Sequence, residues 1–265
     1  MDSLIISAKY REGTGHFSNH YHDCNELIYV CGGKAWVTVG NSDYEAPAGS
    51  LVLISRFEHH AVKADGEDYR RYTIRVRPDT FGYGAFPGSE ILSVLINRPE
   101  NFCHVLPLTG CTELLDKMVA EDMAGQPMGG NMQDLLLFQL LILLCRAHPQ
   151  LIRPDSGNGS TVPQVQRYLE ENYGQRICLE ELSDRFHMSQ SYLSHLFKEV
   201  TGRSVMGYLK ACRIAAAKRL LAQTRLPVSR ILDECGFADS SNFSRTFKQV
   251  TGLSPSAFRE QYQKG

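Results

Sequence analysis

Two kinds of hydrophobic pattern divide the chain. Between about Glu26 and Arg77, short apolar stretches alternate with turn residues: Leu27-Ile28-Tyr29-Val30, Gly32-Gly33, Ala35-Trp36-Val37-Thr38-Val39 and Gly40-Asn41, with Pro47-Ala48-Gly49 ahead of Leu51-Val52-Leu53-Ile54. Runs punctuated in this way predict short antiparallel strands forming a sandwich or barrel. From about Cys111 the period lengthens. Leu114, Leu115, Met118 and Val119 recur at helical spacing up to Ala124, and a strongly apolar helix is expected over 131–148. These two helices are expected to pack on the barrel or on another subunit. The most apolar run, Leu135 to Cys145, spans eleven residues and contains Gln139. It is too short to cross a hydrocarbon layer of about 30 Å, so no membrane partner is expected.

The stretch Pro154-Asp155-Ser156-Gly157-Asn158-Gly159-Ser160 is polar and rich in Gly and Ser, the composition of a linker. Beyond it the pattern is helical. The expected fold class is therefore α+β in two domains: a barrel over 1–100, a helical dimerisation segment over 101–153 packed on it, a linker over 154–160, and an all-helical domain over 161–265. A length of 265 residues suits two domains.

Charge sharpens this division. Residues 1–159 carry 13 Lys+Arg and 19 Asp+Glu, net −6, whereas residues 160–265 carry 15 and 10, net +5. A basic half joined to an acidic one points to a polyanionic partner for the basic half. The hydrophobic fraction of 43% and charged fraction of 22% exclude a fibrous, disordered or membrane chain. The eight cysteines contain no Cys-x-x-Cys pair, which argues against a zinc ribbon. With no secretory signal pattern after Met1-Asp2, a reducing cytosol is expected.

The helical half contains an internal repeat. Ser191, Ser194, Phe197, Lys198, Val200, Thr201, Gly202 and Ser204 recur fifty positions later as Ser241, Ser244, Phe247, Lys248, Val250, Thr251, Gly252 and Ser254. Upstream the offset is forty-nine, pairing Leu179 with Val228, Leu182 with Ile231 and Met188 with Phe237. Each unit reads as a short helix, a tight turn and a longer helix. In the first, Ser189 is placed to cap the longer helix, and Leu193, Leu196, Phe197 and Val200 form its buried stripe. Ser191, Ser194, His195 and Lys198 are left facing outward. The matching face of the second unit is Ser241, Ser244, Arg245 and Lys248, with Ser240 and Asn242 at the helix start. Short hydroxyl side chains permit close approach to a major groove, Arg245 suits a guanine edge, and Lys198 and Lys248 suit phosphates. A single helix of about twenty residues between the units would be roughly 30 Å long, close to one turn of duplex DNA.

The stretches Phe186-His187-Met188-Ser189-Gln190-Ser191-Tyr192-Leu193-Ser194-His195-Leu196-Phe197-Lys198 and Gly236-Phe237-Ala238-Asp239-Ser240-Ser241-Asn242-Phe243-Ser244-Arg245-Thr246-Phe247-Lys248, followed by Thr251-Gly252-Leu253-Ser254-Pro255, resemble the DNA-binding domain of the AraC/XylS family. The resemblance covers about residues 162–262. It implies seven helices with two recognition helices on one face of promoter DNA. The implied base readers are Ser191, Ser194, His195, Ser240, Ser241, Asn242 and Arg245. His195 departs from the Arg frequent at its position, and Leu232 from a usual small Ala.

Near the N-terminus, Gly13-x6-His20-Tyr21-His22-x3-Glu26-x6-Gly33 puts two imidazoles at alternate positions, as on one face of a strand, with Glu26 two periods on. His60 could supply a third. Three imidazoles and a carboxylate inside a barrel would suit Zn, Ni, Fe or Mn. The pattern resembles the first cupin motif, while Ser55 and Phe57 depart from the second. That resemblance implies a double-stranded β-barrel, which in regulators senses an effector. The expected pocket is His20, His22, Glu26, Tyr29, Trp36, His60 and Tyr72, holding a metal or an organic effector. The leading reading is a homodimeric, effector-responsive regulator that contacts promoter DNA and the transcription machinery and is not an enzyme. Its rivals are a cupin metalloenzyme using His20, His22, Glu26 and His60, and a regulator without a small ligand.

Overall fold

The computed structural model describes residues 3–77, 89–95, 102–151, 161–201 and 203–263. The expected linker over 154–160 lies outside the described residues. The chain divides into two compact units, Met1–Asn158 and Gly159–Gly265.

The first unit is built on one sheet of β1 (Ile5–Glu12), β2 (His16–His20), β3 (Asn25–Val39), β4 (Ser42–Pro47), β5 (Ser50–Ile54), β6 (His60–Val76) and β7 (Val105–Pro107). The order is β1-β6-β3-β5-β7, with β2 also paired to β6 and β4 to β3. Gly32-Gly33, expected to be a turn between two strands, instead lies inside the fifteen-residue β3, where the register against β6 slips on either side of Gly32. Gly33 has φ +62°, and a Cβ there would lie 2.9 Å from the Tyr69 nitrogen, so a glycine is required at this bulge.

The bulge reverses the alternation of side chains. Before it Ile28 and Val30 face the inner cluster, and after it Ala35, Val37 and Val39 do, joined by Ala46, Val52, Ile54, Val62 and Tyr69. Members of one cluster come from both ends of β3 and β6, so the sheet is bent round it. Leu27, Tyr29, Leu51, Leu53, Tyr72 and Ile74 occupy the other face. They pack with Leu114, Leu115 and Met118 of α1 (Thr112–Ala124) and Leu137, Leu140, Leu141 and Leu144 of α2 (Gly129–Ala147). Asp134 of α2 accepts from Ser3 Oγ at 2.8 Å and from the Leu4 nitrogen at 2.7 Å.

The second unit contains α3 (Thr161–Glu171), α4 (Leu179–Arg185), α5 (Gln190–Thr201), α6 (Val205–Gln223), α7 (Val228–Glu234), α8 (Ser240–Thr251) and α9 (Pro255–Gln263). The helix expected between the repeats is α6. Its nineteen residues bury Tyr208, Leu209, Cys212, Ile214, Ala216, Ala217 and Leu221 on several sides, as suits a central strut. At 1.5 Å per residue it is roughly 28 Å long.

Candidate functional site: a paired helix surface and a polar cluster in the sheet

The fifty-residue repeat persists at atomic level. Thr201 Oγ1 donates to the Phe197 carbonyl at 2.7 Å and accepts from the Arg203 nitrogen at 3.2 Å. Thr251 Oγ1 donates to the Phe247 carbonyl at 2.8 Å and accepts from the Leu253 nitrogen at 3.2 Å. Ser204 then caps α6 through the Gly207 nitrogen at 3.1 Å, and Ser254 caps α9 through the Ala257 nitrogen at 3.2 Å. The repeated Thr and Ser are thus a joint that ends one helix and starts the next.

The turn inside each unit also repeats. The Met188 nitrogen donates to the Ser183 carbonyl at 2.9 Å and Phe237 to Leu232 at 3.2 Å. His187 and Gly236, forty-nine positions apart, take left-handed φ values of +54° and +71°.

These joints hold α5 and α8 with one face buried and one outward. Leu193 and Phe197 in α5, and Phe243 and Phe247 in α8, are fully buried. Of the expected base readers, Ser191, His195, Ser240, Ser241 and Arg245 are exposed, and Ser194 and Asn242 are half-buried; Lys198 and Lys248 are exposed. Ser189 caps α5 as expected, accepting from the Tyr192 nitrogen at 3.2 Å. The cap of α8 is Asp239, one residue ahead of the expected helix start at Ser240; its Oδ1 accepts from the Asn242 nitrogen at 2.7 Å. Asn242 Oδ1 in turn accepts from Thr246 Oγ1 at 3.3 Å, which fixes how its amide is presented. Leu232, the departure from a small residue, is buried against Phe237, Phe243 and Phe247, so its extra volume fills the core of the second unit.

In the sheet, the seven residues expected to form a pocket separate. Trp36 is 44% exposed, because the Gly32-Gly33 bulge turns even-numbered positions outward beyond it. Tyr29 and Tyr72 are buried on the face packed against α1 and α2, where Tyr72 Oη donates to Asp116 Oδ1 at 2.6 Å. Neither tyrosine shares the imidazole site. His20, His22, Glu26 and His60 do come together, although not on one strand: His20 ends β2, His22 lies in the following turn, Glu26 is in β3, and His60 opens β6 opposite His20.

His20 Nε2 is 3.1 Å from His22 Nε2; Glu26 Oε2 is 3.3 Å from His60 Nε2 and Glu26 Oε1 is 3.6 Å from His22 Nε2. Ligand atoms of the three imidazoles lie within 4.8 Å of one another. His20 Nδ1 faces the Ser18 carbonyl at 2.7 Å and His60 Nδ1 the Glu58 carbonyl at 3.0 Å. The Ser18 carbonyl favours the proton of His20 on Nδ1, which turns its Nε2 lone pair into the cluster, whereas His60 has an acceptor at each ring nitrogen, the Glu58 carbonyl at Nδ1 and Glu26 at Nε2. Such carbonyl bonds are the outer support that metal-binding histidines use, so the donor set fits a divalent cation.

Arg75 was not singled out by any sequence motif. Its Nε donates to Glu26 Oε1 at 3.1 Å and its Nη2 lies 3.2 Å from His22 Nε2. Only the register, which sets Arg75 opposite Glu26, reveals it. Burial pushes the His22 imidazole down to about 4; Glu26 opposes this, and the charge on Arg75 adds to it. Glu26 is held down at about 2: burial pushes it up, but the His60 hydrogen bond and the charges of His22, His60 and Arg75 outweigh that.

Residues 5–95 match the family model of the AraC-like ligand binding domain, and residues 182–261 that of a helix-turn-helix domain. The HTH-type transcriptional activator RhaR of Shigella dysenteriae is 26% identical over 248 residues, covering 92% of this chain and 87% of that protein. RhaR of Escherichia coli strain K12 is 25% identical over 263 residues, covering 97% and 92%. Among solved structures, ToxT of Vibrio cholerae superposes with a TM-score of 0.61 at 14% identity, covering 99% of each chain. ToxT with a bound unsaturated fatty acid gives 0.60 at 12% identity, covering 100% of this chain and 97% of that one. At these identities the likeness is one of fold.

Proposed function

Because the chain belongs to the AraC family of transcriptional regulators, with an N-terminal ligand-binding domain and a C-terminal helix-turn-helix DNA-binding domain, we propose that α5 and α8 enter two successive major grooves of promoter DNA. The observation that carries this is the pair of repeated, outward faces flanking α6. Ser191, Ser194 and His195 of α5, and Ser240, Ser241, Asn242 and Arg245 of α8, are the proposed base readers. Lys198 and Lys248 lie at the C-terminal ends of the same faces, positioned for phosphates. Arg245 gives the second unit a bidentate reader of guanine, whereas His195 gives the first a weaker one. The chain is a regulator rather than an enzyme, and it acts in the bacterial cytoplasm on promoter DNA and the transcription machinery. No helix among the described residues is long and apolar enough to cross a membrane.

The same proposal assigns the sheet unit to effector sensing, with His20, His22, Glu26 and His60 as the polar part of its site. A divalent cation would be held by the Nε2 atoms of His20, His22 and His60, and would offer a Lewis-acidic contact to an oxygen-bearing effector. A titration of Zn2+ into the chelator-stripped protein tests that part: a raised melting temperature in wild type but not in His20→Ala supports it, and equal shifts refute it. Two copies are proposed to pair through α2, whose outer face exposes Met132, Leu135 and Ile142 at intervals of three and seven residues, with the exposed Met128 just ahead of it.

Selection of bound duplexes from a random pool tests the whole reading. The expected product is two sequence blocks about one helical turn apart, bound with steep salt dependence. Binding without sequence preference, or none, would refute it.

A further inference from the structure

We propose that Arg75 competes with the divalent cation for the histidine cluster: its guanidinium holds the His22 and Glu26 edge of the site and leaves when a metal enters, which makes the metal exchangeable. This rests on the reading that His20, His22 and His60 hold a divalent cation, and it names how that site is regulated.

Two contacts of one side chain carry the inference. Arg75 Nη2 lies 3.2 Å from His22 Nε2, and Arg75 Nε donates to Glu26 Oε1 at 3.1 Å. A guanidinium has N–H donors and no acceptor, so the His22 nitrogen presents its lone pair to Arg75. The same nitrogen lies 3.1 Å from His20 Nε2, whose lone pair also turns inward because the Ser18 carbonyl takes the Nδ1 proton. Two imidazole lone pairs facing each other at this distance repel unless a positive charge stands against them. Their separation is close to the roughly 3.3 Å between two nitrogens bonded to one tetrahedral metal. Arg75 thus supplies at the edge of the cluster the charge that a metal would supply at its centre.

The two cations exclude each other. A neutral imidazole nitrogen has one in-plane lone pair, and a metal takes it at about 2.1 Å, well inside the 3.2 Å at which the guanidinium stands. Entry of a metal therefore breaks the bond to His22 and, by repulsion between like charges, weakens the one to Glu26. Burial decides which partner yields. The Glu26 and His60 side chains are 5% and 1% exposed, whereas that of Arg75 is 41% exposed and turns to water without disturbing the packed faces of the sheet. Because these contacts must be given up, the site holds its metal more weakly than the same histidines would without the arginine.

The test is competition for Zn2+ between the full-length protein and a chromophoric chelator near neutral pH. Arg75→Met is expected to bind Zn2+ about tenfold or more tightly than wild type, in keeping with the charge-assisted bonds that wild type must break. Arg75→Gln serves as a second variant. Arg11→Gln removes an equal charge opposite Arg71, four residues along β6 and roughly 13 Å from Arg75, and should stay within about twofold of wild type. In wild type the Arg75 Nε–H resonance, identified by its absence from the variants, should shift as Zn2+ is added. A cooperative Trp36 melting transition certifies that each variant is folded. Equal or weaker binding by the Arg75 variants, an equal gain in Arg11→Gln, or an Arg75 resonance unmoved at saturation would each overturn the inference, and loss of Zn2+ binding in His20→Ala would still leave the metal site standing. Zn2+ binding by neither wild type nor variant, or binding that His20→Ala leaves unchanged, sinks the metal reading and this inference with it.

Discussion

Gly236 and His187 occupy the same place in the two helix-turn-helix turns, yet substitution should affect them very differently. A Cβ on Gly236 would stand 2.8 Å from the carbonyl oxygens of both Gly174 and Tyr173, at φ +71°. Those oxygens belong to backbone linking α3 and α4. Their position is further restrained by Arg213 of α6, which donates to the Tyr173 carbonyl at 2.9 Å and the Gln175 carbonyl at 2.8 Å. Gly236→Ala therefore combines a left-handed conformation costing a side-chain-bearing residue about 1 kcal/mol with overpacking worth about 1–3 kcal/mol. A loss of about 2–4 kcal/mol in a unit of 107 residues corresponds to a melting temperature lower by roughly 10–20 °C. His187 already carries a Cβ at φ +54°, so His187→Gly should change stability by less than about 1 kcal/mol. Helical circular dichroism would follow mainly the second unit, which holds seven of the nine α-helices among the described residues. The single tryptophan, Trp36, reports the first unit and serves as the internal control. Equal melting of Gly236→Ala and wild type would refute the crowded-turn argument, as would a Trp36 transition that moves with it.

Arg245→Ala should weaken operator binding by about 1–3 kcal/mol and relax preference at one base pair, whereas Lys248→Ala should weaken all sequences alike and reduce the salt slope by about one; electrophoretic mobility shifts over a salt series distinguish the two. In metal-free protein, His22 lies in its folded state at about 4, below its ordinary 6.5. The unfolded chain therefore takes up that proton first, and the stabilisation present above pH 6.5 should fall by up to about 3 kcal/mol as pH drops towards 4. Trp36 melting should show that decline in wild type and a shallower one in His22→Gln. Leu135→Glu places a charge in the exposed stripe of α2 and should convert a dimer to monomers in sedimentation, with the Trp36 transition unmoved.

Much of the second unit is legible in the sequence because its information is local. The repeated Thr, Gly and Ser residues, the phenylalanines at fifty-residue spacing and the polar face between them specify caps, core stripe and exposed surface within a few turns of helix. Asp239 escaped notice as a cap because Ser240 beside it is an equally good capping residue.

The sheet unit is different. The sequence by itself determined that it was strand-rich, that helices would follow, and that His20, His22, Glu26 and His60 were chemically notable. Which side of the sheet a residue faces was decided by tertiary structure, since a single bulge at Gly32-Gly33 inverts the period-two pattern that any reading of faces depends on. That inversion sent Trp36 to solvent, while the pairing of β3 with β6 put Tyr29 and Tyr72 against the helices. The same long-range pairing, between residues some fifty positions apart, set Arg75 against Glu26. Helical contacts at three and four residues are written along the chain, whereas strand partners are fixed only when the whole sheet closes.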